Sequence, residues 1–203
     1  MNRSAGIVGA VVASIVGLAI VSMLRTSVNS NRITHDSIVM LGDSITAEAR
    51  WNRLLPDQPL VNEGHPGFTT EQLITVAERV AAADPATVVV LTGTNDIRDG
   101  HPSAWTREHL GQLIDRLEHG SKATIIVQTI LPRADAPTAV QQVNAEIRDL
   151  ATLRGIRLLD LYETFDDGNG ALRDHETYDG LHLTVDGYER WASELQPVLR
   201  DLP

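Results

Sequence analysis

From residue 37 onward the chain alternates short apolar runs with stretches in which apolar residues recur every three or four positions. The apolar runs lie at 37–41, 60–62, 87–92, 124–129 and 156–160, and the periodic stretches lie at 45–55, 69–80, 110–117, 140–150 and 185–199. Runs of this kind predict buried strands, and the helical spacing predicts amphipathic helices. Their alternation predicts an α/β fold, a three-layer sandwich in which helices cover a central parallel sheet of five strands.

Local signals mark the ends of several predicted helices. Thr69 stands three residues before Gln72, a capping-box spacing that predicts a helix start. Pro56 ends the first periodic stretch, and Gly120 and Gly155 end two later ones, because proline and glycine interrupt helices. No internal repeat or low-complexity tract breaks the pattern, so residues 37–203 are predicted to form one domain.

The chain begins with a different kind of segment. Residues 5–24 are an uncharged run between Arg3 and Arg25, and a helix of that length spans roughly 30 Å, the thickness of a hydrocarbon core. A cleaved signal normally has an apolar stretch of only about 7–15 residues, so we favour an uncleaved anchor, with secretion after cleavage as the alternative. This predicts a transmembrane anchor over residues 1–25, a polar tether over residues 26–36 and a domain held at the membrane, outside the cytoplasm.

The charged residues narrow the range of partners. The formal net charge is −10, and once Arg3 and Arg25 are set aside, 15 of the 17 basic residues remain against 27 acidic ones. Binding of nucleic acid needs a clustered basic face, so this balance excludes nucleic acid as a predicted partner. Cysteine is absent, which excludes disulfides, thiol nucleophiles and thiolate-bound zinc.

Chemically useful residues follow three of the predicted strands. In a parallel sheet covered by helices, ligands bind beyond the carboxyl ends of the strands. Ser44 follows the first strand and offers a hydroxyl, Gly64 follows the second and offers an unobstructed N–H, and Asn95 follows the third and offers an uncharged side-chain donor. Each has a commoner explanation when taken alone: a helix cap, a turn glycine and an Asx turn.

An acidic residue and a histidine precede the last predicted helix. Asp179 stands three residues before His182, close enough for the carboxylate to hold the imidazole in the tautomer that leaves Nε2 free as a base. Such a pair could also be a surface contact or part of a metal site. No second cluster of histidine or carboxylate supplies the remaining ligands, so no metal is predicted.

Taken together, a Ser, a Gly, an Asn and an Asp-x-x-His in this order resemble the SGNH, or GDSL-type, hydrolase family. The resemblance covers residues 37–200, and the late stretch 179–184, followed by Gly187, Tyr188 and Trp191, is similar to the acetylhydrolase and acylhydrolase branches. Ile45 stands where the family name has Leu, a conservative change.

The resemblance implies a serine esterase that needs no cofactor. It implies that Ser44 is the nucleophile, His182 its base and Asp179 the orienting acid, and that the oxyanion hole consists of the N–H groups of Ser44 and Gly64 and the side chain of Asn95. The expected substrates are short-chain acyl or acetyl esters of a carbohydrate or lipid. Polar residues in the loop 97–105 favour a polar substrate such as an acetylated sugar.

Other functions stay open at this point. The same residues could transfer the acyl group to a cell-envelope glycan instead of water, and the fold could serve as a non-catalytic binding module. A nucleotide-binding domain is disfavoured, because the first strand-to-helix turn lacks both glycine-rich phosphate motifs.

Overall fold

A computed structural model of the chain describes residues 32–202. The predicted membrane anchor and most of the predicted tether lie outside the described residues. Within residues 32–202 no helix combines the length and the apolar character needed to cross a membrane.

A five-stranded sheet forms the centre of the domain. Its strands are β1 (Ile38–Gly42), β2 (Leu60–Gly64), β3 (Thr87–Leu91), β4 (Thr124–Gln128) and β5 (Arg157–Leu159). They lie in the order β2-β1-β3-β4-β5, and every neighbouring pair is parallel. The prediction of a parallel five-stranded sheet is confirmed, with strand ends within one or two residues of the predicted ones.

The described part of the chain carries long and short helices between the strands. They are α1 (Ser44–Glu48), α2 (Trp51–Leu54), α3 (Thr70–Ala82), α4 (Thr94–Arg98), α5 (Ser103–Gly120), α6 (Pro137–Arg154), α7 (Leu161–Phe165) and α8 (Val185–Arg200). Helix α5 packs between α3 and α6, whereas α2 packs against α8. Two of the three interior strands, β1 and β3, are buried along their whole length, as expected for the middle layer of a three-layer sandwich.

The capping box predicted at Thr69 is present. The Thr69 hydroxyl accepts a hydrogen bond from the N–H of Gln72, and the Gln72 side chain accepts one from the N–H of Thr69. These reciprocal bonds satisfy two N–H groups at the start of α3 that the helix itself cannot pair.

The prediction of one helix over residues 45–55 is wrong. The chain leaves the helix at Ala49, whose backbone is extended, and resumes in α2. The side chain of Asn62 donates to the carbonyl oxygens of Ala47 and Ala49 at 3.0 and 3.2 Å, so the peptide groups at the break remain paired. The break turns Trp51 into the core, where its ring meets Trp191 edge to face at 4.8 Å.

Candidate active site

Three of the predicted site residues form one hydrogen-bonded chain. Ser44 Oγ lies 3.0 Å from His182 Nε2, and His182 Nδ1 lies 2.7 Å from Asp179 Oδ2. Since a carboxylate can only accept here, Nδ1 carries the proton and Nε2 is left to accept from the serine hydroxyl. Residues 138 positions apart in sequence are thus joined in the order hydroxyl, imidazole, carboxylate.

The Asp179–His182 pair is built by a tight loop. Gly180 has a φ of +85°, a left-handed conformation that suits glycine. Asp179 Oδ1 accepts from the N–H groups of Leu181 and His182 at 3.0 and 2.7 Å. Thr177 closes the loop, because its hydroxyl accepts from the N–H of Gly180 and donates to the carbonyl oxygen of His182. The loop therefore sets the distance between carboxylate and imidazole by local contacts.

The charge on Asp179 is stabilised within this loop. Burial alone would raise the pKa of Asp179, but the hydrogen bonds from His182 and Leu181 hold that pKa below its ordinary value. The Asp179 carboxylate is therefore ionised at neutral pH beside the imidazole that would become positively charged. Tyr178 stacks on that imidazole with a centroid separation of 5.8 Å, and its hydroxyl donates to Glu48 at 2.9 Å.

Ser44 is placed by the end of β1. Gly42 is the last residue of that strand, and a Cβ at this position would overlap the Thr46 hydroxyl and crowd the carbonyl oxygen of Leu91. Asp43 caps α1, accepting from the N–H of Ile45 at 2.9 Å. Within residues 32–202 the N–H of Ser44 has no hydrogen-bond partner, so it is free to bind a ligand.

Asp43 is a buried acid directly before Ser44. The residue is 1% exposed, and its Oδ2 atom has no hydrogen-bond partner within the described part of the chain. Burial raises the pKa of Asp43 from 3.8 to about 7, against the opposing effects of the Ile45 N–H and of His182. At neutral pH a large share of this carboxyl is protonated.

Gly64 ends β2 opposite Gly42, which places it at the same edge of the sheet as Ser44. A Cβ on Gly64 would overlap the backbone of Ala47, so only glycine permits this approach of β2 to α1. The N–H of Gly64 donates to Asn62 Oδ1 at 2.9 Å. An oxyanion would therefore have to share this N–H with the Asn62 side chain.

Asn95 follows β3 and is 5% exposed. Gly93, with a φ of +122°, turns the chain from the strand into α4. Asn95 Nδ2 donates to the carbonyl oxygen of Phe68 at 2.9 Å, and Asn95 Oδ1 accepts from Arg98 Nη1 at 2.8 Å. One N–H of the amide is left for a ligand, because Nδ2 carries two hydrogens.

The residues next to Asn95 hold the turn between β3 and α4 in place. Asp96 is fully buried and accepts from the N–H and hydroxyl of Thr70 at 2.9 and 2.6 Å. Arg133 is nearly buried and donates to the carbonyl oxygen of Thr94 at 2.9 Å. Contacts from two distant segments therefore hold the backbone on both sides of Asn95.

The structure brings the predicted site residues to one edge of the sheet, and it adds contacts that the sequence does not reveal. Two of these contacts are the hydrogen bond from the N–H of Gly64 to Asn62 Oδ1 and the hydrogen bond from Arg98 to Asn95 Oδ1. Arg98 and Asp99, which the sequence assigns to a substrate loop, pair with each other at 2.7 Å, and His101 stacks on Trp105 at 3.9 Å. The sequence spacing of these residues gives no signal for the contacts, except that Asn95 and Arg98 stand three positions apart on one short helix.

Two cavities flank the loop that carries Asp179 and His182. One of about 450 Å³ is lined in part by Glu48, Leu183 and Tyr188, and one of about 300 Å³ is lined in part by Asp179 and Leu172. Within residues 32–202 no three His, Asp or Glu side chains are grouped so that they could hold a metal ion.

Comparison with known proteins identifies the family of this chain. The sequence model of the GDSL-like lipase/acylhydrolase family matches residues 40–190. The alpha2 subunit of platelet-activating factor acetylhydrolase IB is 28% identical over 177 residues in both Rattus norvegicus and Homo sapiens, which covers 81% of this chain and 76% of the relative.

Solved structures share the architecture. A GDSL-like lipase from Bacteroides thetaiotaomicron aligns with a TM-score of 0.74 at 26% identity, covering 82% of this chain and 88% of that one. The lipase/acylhydrolase from Enterococcus faecalis shares the fold, with a TM-score of 0.69 at 24% identity over 81% of this chain and 95% of that one. With the family match spanning most of the sequence, this chain belongs to the GDSL-like lipase/acylhydrolase family and is a hydrolase.

Proposed function

We propose that this protein is a serine esterase that hydrolyses short-chain acyl esters, acetyl esters above all, through Ser44, His182 and Asp179. The observation that carries the proposal is the unbroken hydrogen-bond chain from Ser44 Oγ through His182 to Asp179. Nucleophile, base and orienting carboxylate are the groups that serine-based acyl transfer requires. Membership of an acylhydrolase family supports ester hydrolysis independently of this geometry.

The first half of the reaction acylates the enzyme. Ser44 Oγ attacks the ester carbonyl carbon while His182 Nε2 accepts the hydroxyl proton, and the carbonyl electron pair moves onto oxygen. Asp179 keeps Nδ1 protonated and stabilises the imidazolium that forms. When the tetrahedral intermediate collapses, the bond to the alcohol oxygen breaks, the imidazolium gives its proton to that oxygen, and the acyl group stays on Ser44.

Water completes the cycle by the same route in reverse. His182 takes a proton from water as the water oxygen attacks the acyl carbon, and it returns the proton to Ser44 Oγ as the carboxylic acid leaves. Apart from the substrate and water, both halves use only groups of this chain.

Three donors are proposed to bind the oxyanion. The N–H of Ser44 is free within the described residues, and Asn95 has one N–H beyond the one bound to Phe68. Gly64 contributes an N–H that is shared with Asn62. Loss of one such donor typically lowers the rate by about 100- to 1,000-fold, because the charge it stabilises develops only in the transition state.

The surface of the domain favours short acyl groups. A palmitoyl-length chain needs an extended apolar groove, yet within residues 32–202 the large apolar side chains that are strongly exposed are Leu153, Tyr178 and Val185. The mammalian relatives are named acetylhydrolases, which supports an acetyl ester. The alcohol part is proposed to be a carbohydrate or a lipid.

We also propose that residues 1–25 anchor the protein to a membrane, with residues 26–36 as a tether and the hydrolase domain, residues 37–203, outside the cytoplasm. The support is the uncharged run at 5–24. We expect the protein to stay in the membrane fraction after carbonate extraction. We also expect protease added from outside the cell to reach the hydrolase domain. A shortened, soluble form of the native protein would favour a cleaved signal instead.

The test of the esterase uses the full chain in mild detergent with p-nitrophenyl esters from acetyl to palmitoyl. We expect the fastest turnover with acetyl or butyryl ester and a loss of kcat on the order of 10⁴-fold or more in Ser44→Ala. Ser193→Ala, at an exposed position on α8, serves as the matched control and should keep full activity.

Labelling with a fluorophosphonate separates the rival functions. An active nucleophile should give a covalent adduct on the wild type and none on Ser44→Ala. Labelling together with faster transfer of an acetyl group to an added sugar than to water would make the protein an O-acyltransferase. Folded protein that neither hydrolyses esters nor becomes labelled would be a binding module, and activity that survives in Ser44→Ala would refute the assigned nucleophile.

A further inference from the structure

Arg98 makes direct contact with the side chain of Asn95. The two residues stand three positions apart on α4, and Arg98 Nη1 donates to Asn95 Oδ1 at 2.8 Å. On the other side of the amide, Asn95 Nδ2 donates to the carbonyl oxygen of Phe68 at 2.9 Å. The Asn95 amide is therefore held at both of its polar atoms.

These two contacts determine which way the amide faces. A guanidinium has only N–H donors and a carbonyl oxygen has only lone pairs, so each can pair with one end of the amide. If the amide were turned over, its NH₂ group would face the N–H groups of Arg98 and its oxygen would face the oxygen of Phe68. Arg98 and Phe68 together thus exclude the reversed orientation.

The guanidinium of Arg98 is itself held in place. Its Nε and Nη2 groups donate to the two carboxylate oxygens of Asp99 at 2.7 and 3.2 Å, and Nη2 also donates to the carbonyl oxygen of Gly67 at 3.2 Å. Asp99 balances the charge, and the contact to Gly67 ties Arg98 to the same loop that carries Phe68. Because these three hydrogen bonds already hold the guanidinium, it loses little conformational entropy when it also binds Asn95.

We propose that Arg98 is a positioning residue that fixes the Asn95 amide and strengthens its remaining N–H as an oxyanion donor. The inference rests on the proposed role of Asn95 in the esterase. A charged donor on Oδ1 draws electron density through the amide and makes the opposite N–H a stronger donor, and hydrogen bonds in such chains reinforce one another. Arg98 acts through Asn95 and does not touch the reacting atoms.

A double-mutant cycle on the full chain tests this role. We expect Arg98→Met to lower kcat about tenfold, because the remaining N–H of Asn95 becomes a weaker and less well oriented donor to the oxyanion, with KM changed less than twofold. Asn95→Ala should lower kcat by about 100- to 1,000-fold. Because Arg98 acts through Asn95, the double variant should be no slower than Asn95→Ala alone.

Two further variants separate positioning from a structural role. Arg98→Lys keeps a positive donor near Asn95 Oδ1 and should recover part of the lost kcat. Arg107→Met removes an arginine that pairs with Glu146 between α5 and α6 and has no hydrogen bond to Asn95, and it should leave kcat unchanged.

The outcomes are distinguishable. Additive losses in the double variant, a rise in KM in place of a fall in kcat, or full activity of Arg98→Met would overturn the role of Arg98 and leave the esterase standing. Full activity of Asn95→Ala, or absence of ester turnover in the wild type, would overturn the oxyanion assignment and the role of Arg98 with it.

Discussion

The two sides of the active site are built in different ways. On the strand-end side, which consists of Asp43, Asn95 and their neighbours, most of the polar side chains are buried and several of their partners lie far away in sequence, as with Asp96 and Thr70. On the loop side, residues 173–184, Asp179 and His182 have side chains that are 40% and 21% exposed, and most of their bonds stay within the loop.

This difference matches the role proposed for each side. Donors that stabilise a developing charge work best when they are fixed before the reaction, and burial within the fold fixes the strand-end side. A base must take up and release a proton, and a loop closed by short-range bonds can hold the imidazole without burying it. We therefore expect changes at Asp179 and His182 to affect chemistry more than folding, and changes on the strand-end side to affect both.

The largest effect should come from Asp179→Asn. The amide NH₂ would face Nδ1 of His182 and favour the tautomer that carries its proton on Nε2, which cannot accept from Ser44. We expect kcat to fall about 10⁴-fold, while the free energy of unfolding in urea changes by no more than about 1 kcal/mol. Asp174→Asn, at an exposed position of the same loop, is the control. A large loss of stability in Asp179→Asn would contradict the separation of the two sides.

The next effect concerns Asp43 on the strand-end side. Its pKa is raised to about 7 by burial, whereas an unfolded chain ionises this group near pH 4. Between these values the unfolded state holds fewer protons than the folded state, so the stability that Asp43 contributes is full below about pH 4 and is lost as the pH rises to 7.

The measurement is urea unfolding of the wild type and Asp43→Asn from pH 4 to pH 8. The stability difference between the two proteins should shift against the wild type by about 1.4 kcal/mol per pH unit, reaching about 3–4 kcal/mol at pH 7 and levelling off above it. Carboxylates with lowered pKa values, such as Asp179, are common to both proteins and cancel in the difference. Parallel stability profiles would show that folding leaves the pKa of Asp43 at its ordinary value.

The smallest of the three effects should come from Glu176→Gln, which tests how the loop side is attached. The Glu176 side chain is 1% exposed and pairs with Arg190 on α8 and with Arg173. Both arginines are partly exposed and can be rehydrated, so we expect a loss of about 1–3 kcal/mol in the free energy of unfolding and only a severalfold change in kcat. A loss of kcat as large as that of Asp179→Asn would mean that the loop geometry depends on this ion pair.

The sheet and the main site residues are predictable from the sequence, because their signals are local. An apolar run such as TVVVL is long enough to identify β3, and the residue that follows each strand then lies at the binding edge by topology. Ser44, Gly64 and Asn95 of the family pattern stand at the ends of strands. The fourth residue, His182, stands in the short Asp-x-x-His motif.

What the sequence does not reveal depends on contacts between distant segments. Residues 45–55 have helical spacing throughout, yet Asn62 pairs with the carbonyl groups at Ala49 and the helix breaks there. The contact of Arg98 with Asn95 is useful only because Gly67 and Phe68 lie beside it, and no periodicity links those positions. The short helices α4 and α7 were not predicted, because each contains only five residues and carries no complete amphipathic repeat.

The course of α8 has a practical consequence. This helix begins just after His182, and its end lies by the first residue of β5, where Asp201 pairs with Arg157 at 3.2 Å. Since β5 is parallel to the other strands, its first residue marks the edge of the sheet opposite to Ser44. Enzyme coupled to a resin at the end of α8 should therefore present the sheet edge that carries Ser44 to the solution, and immobilisation there should leave turnover close to that of the free protein.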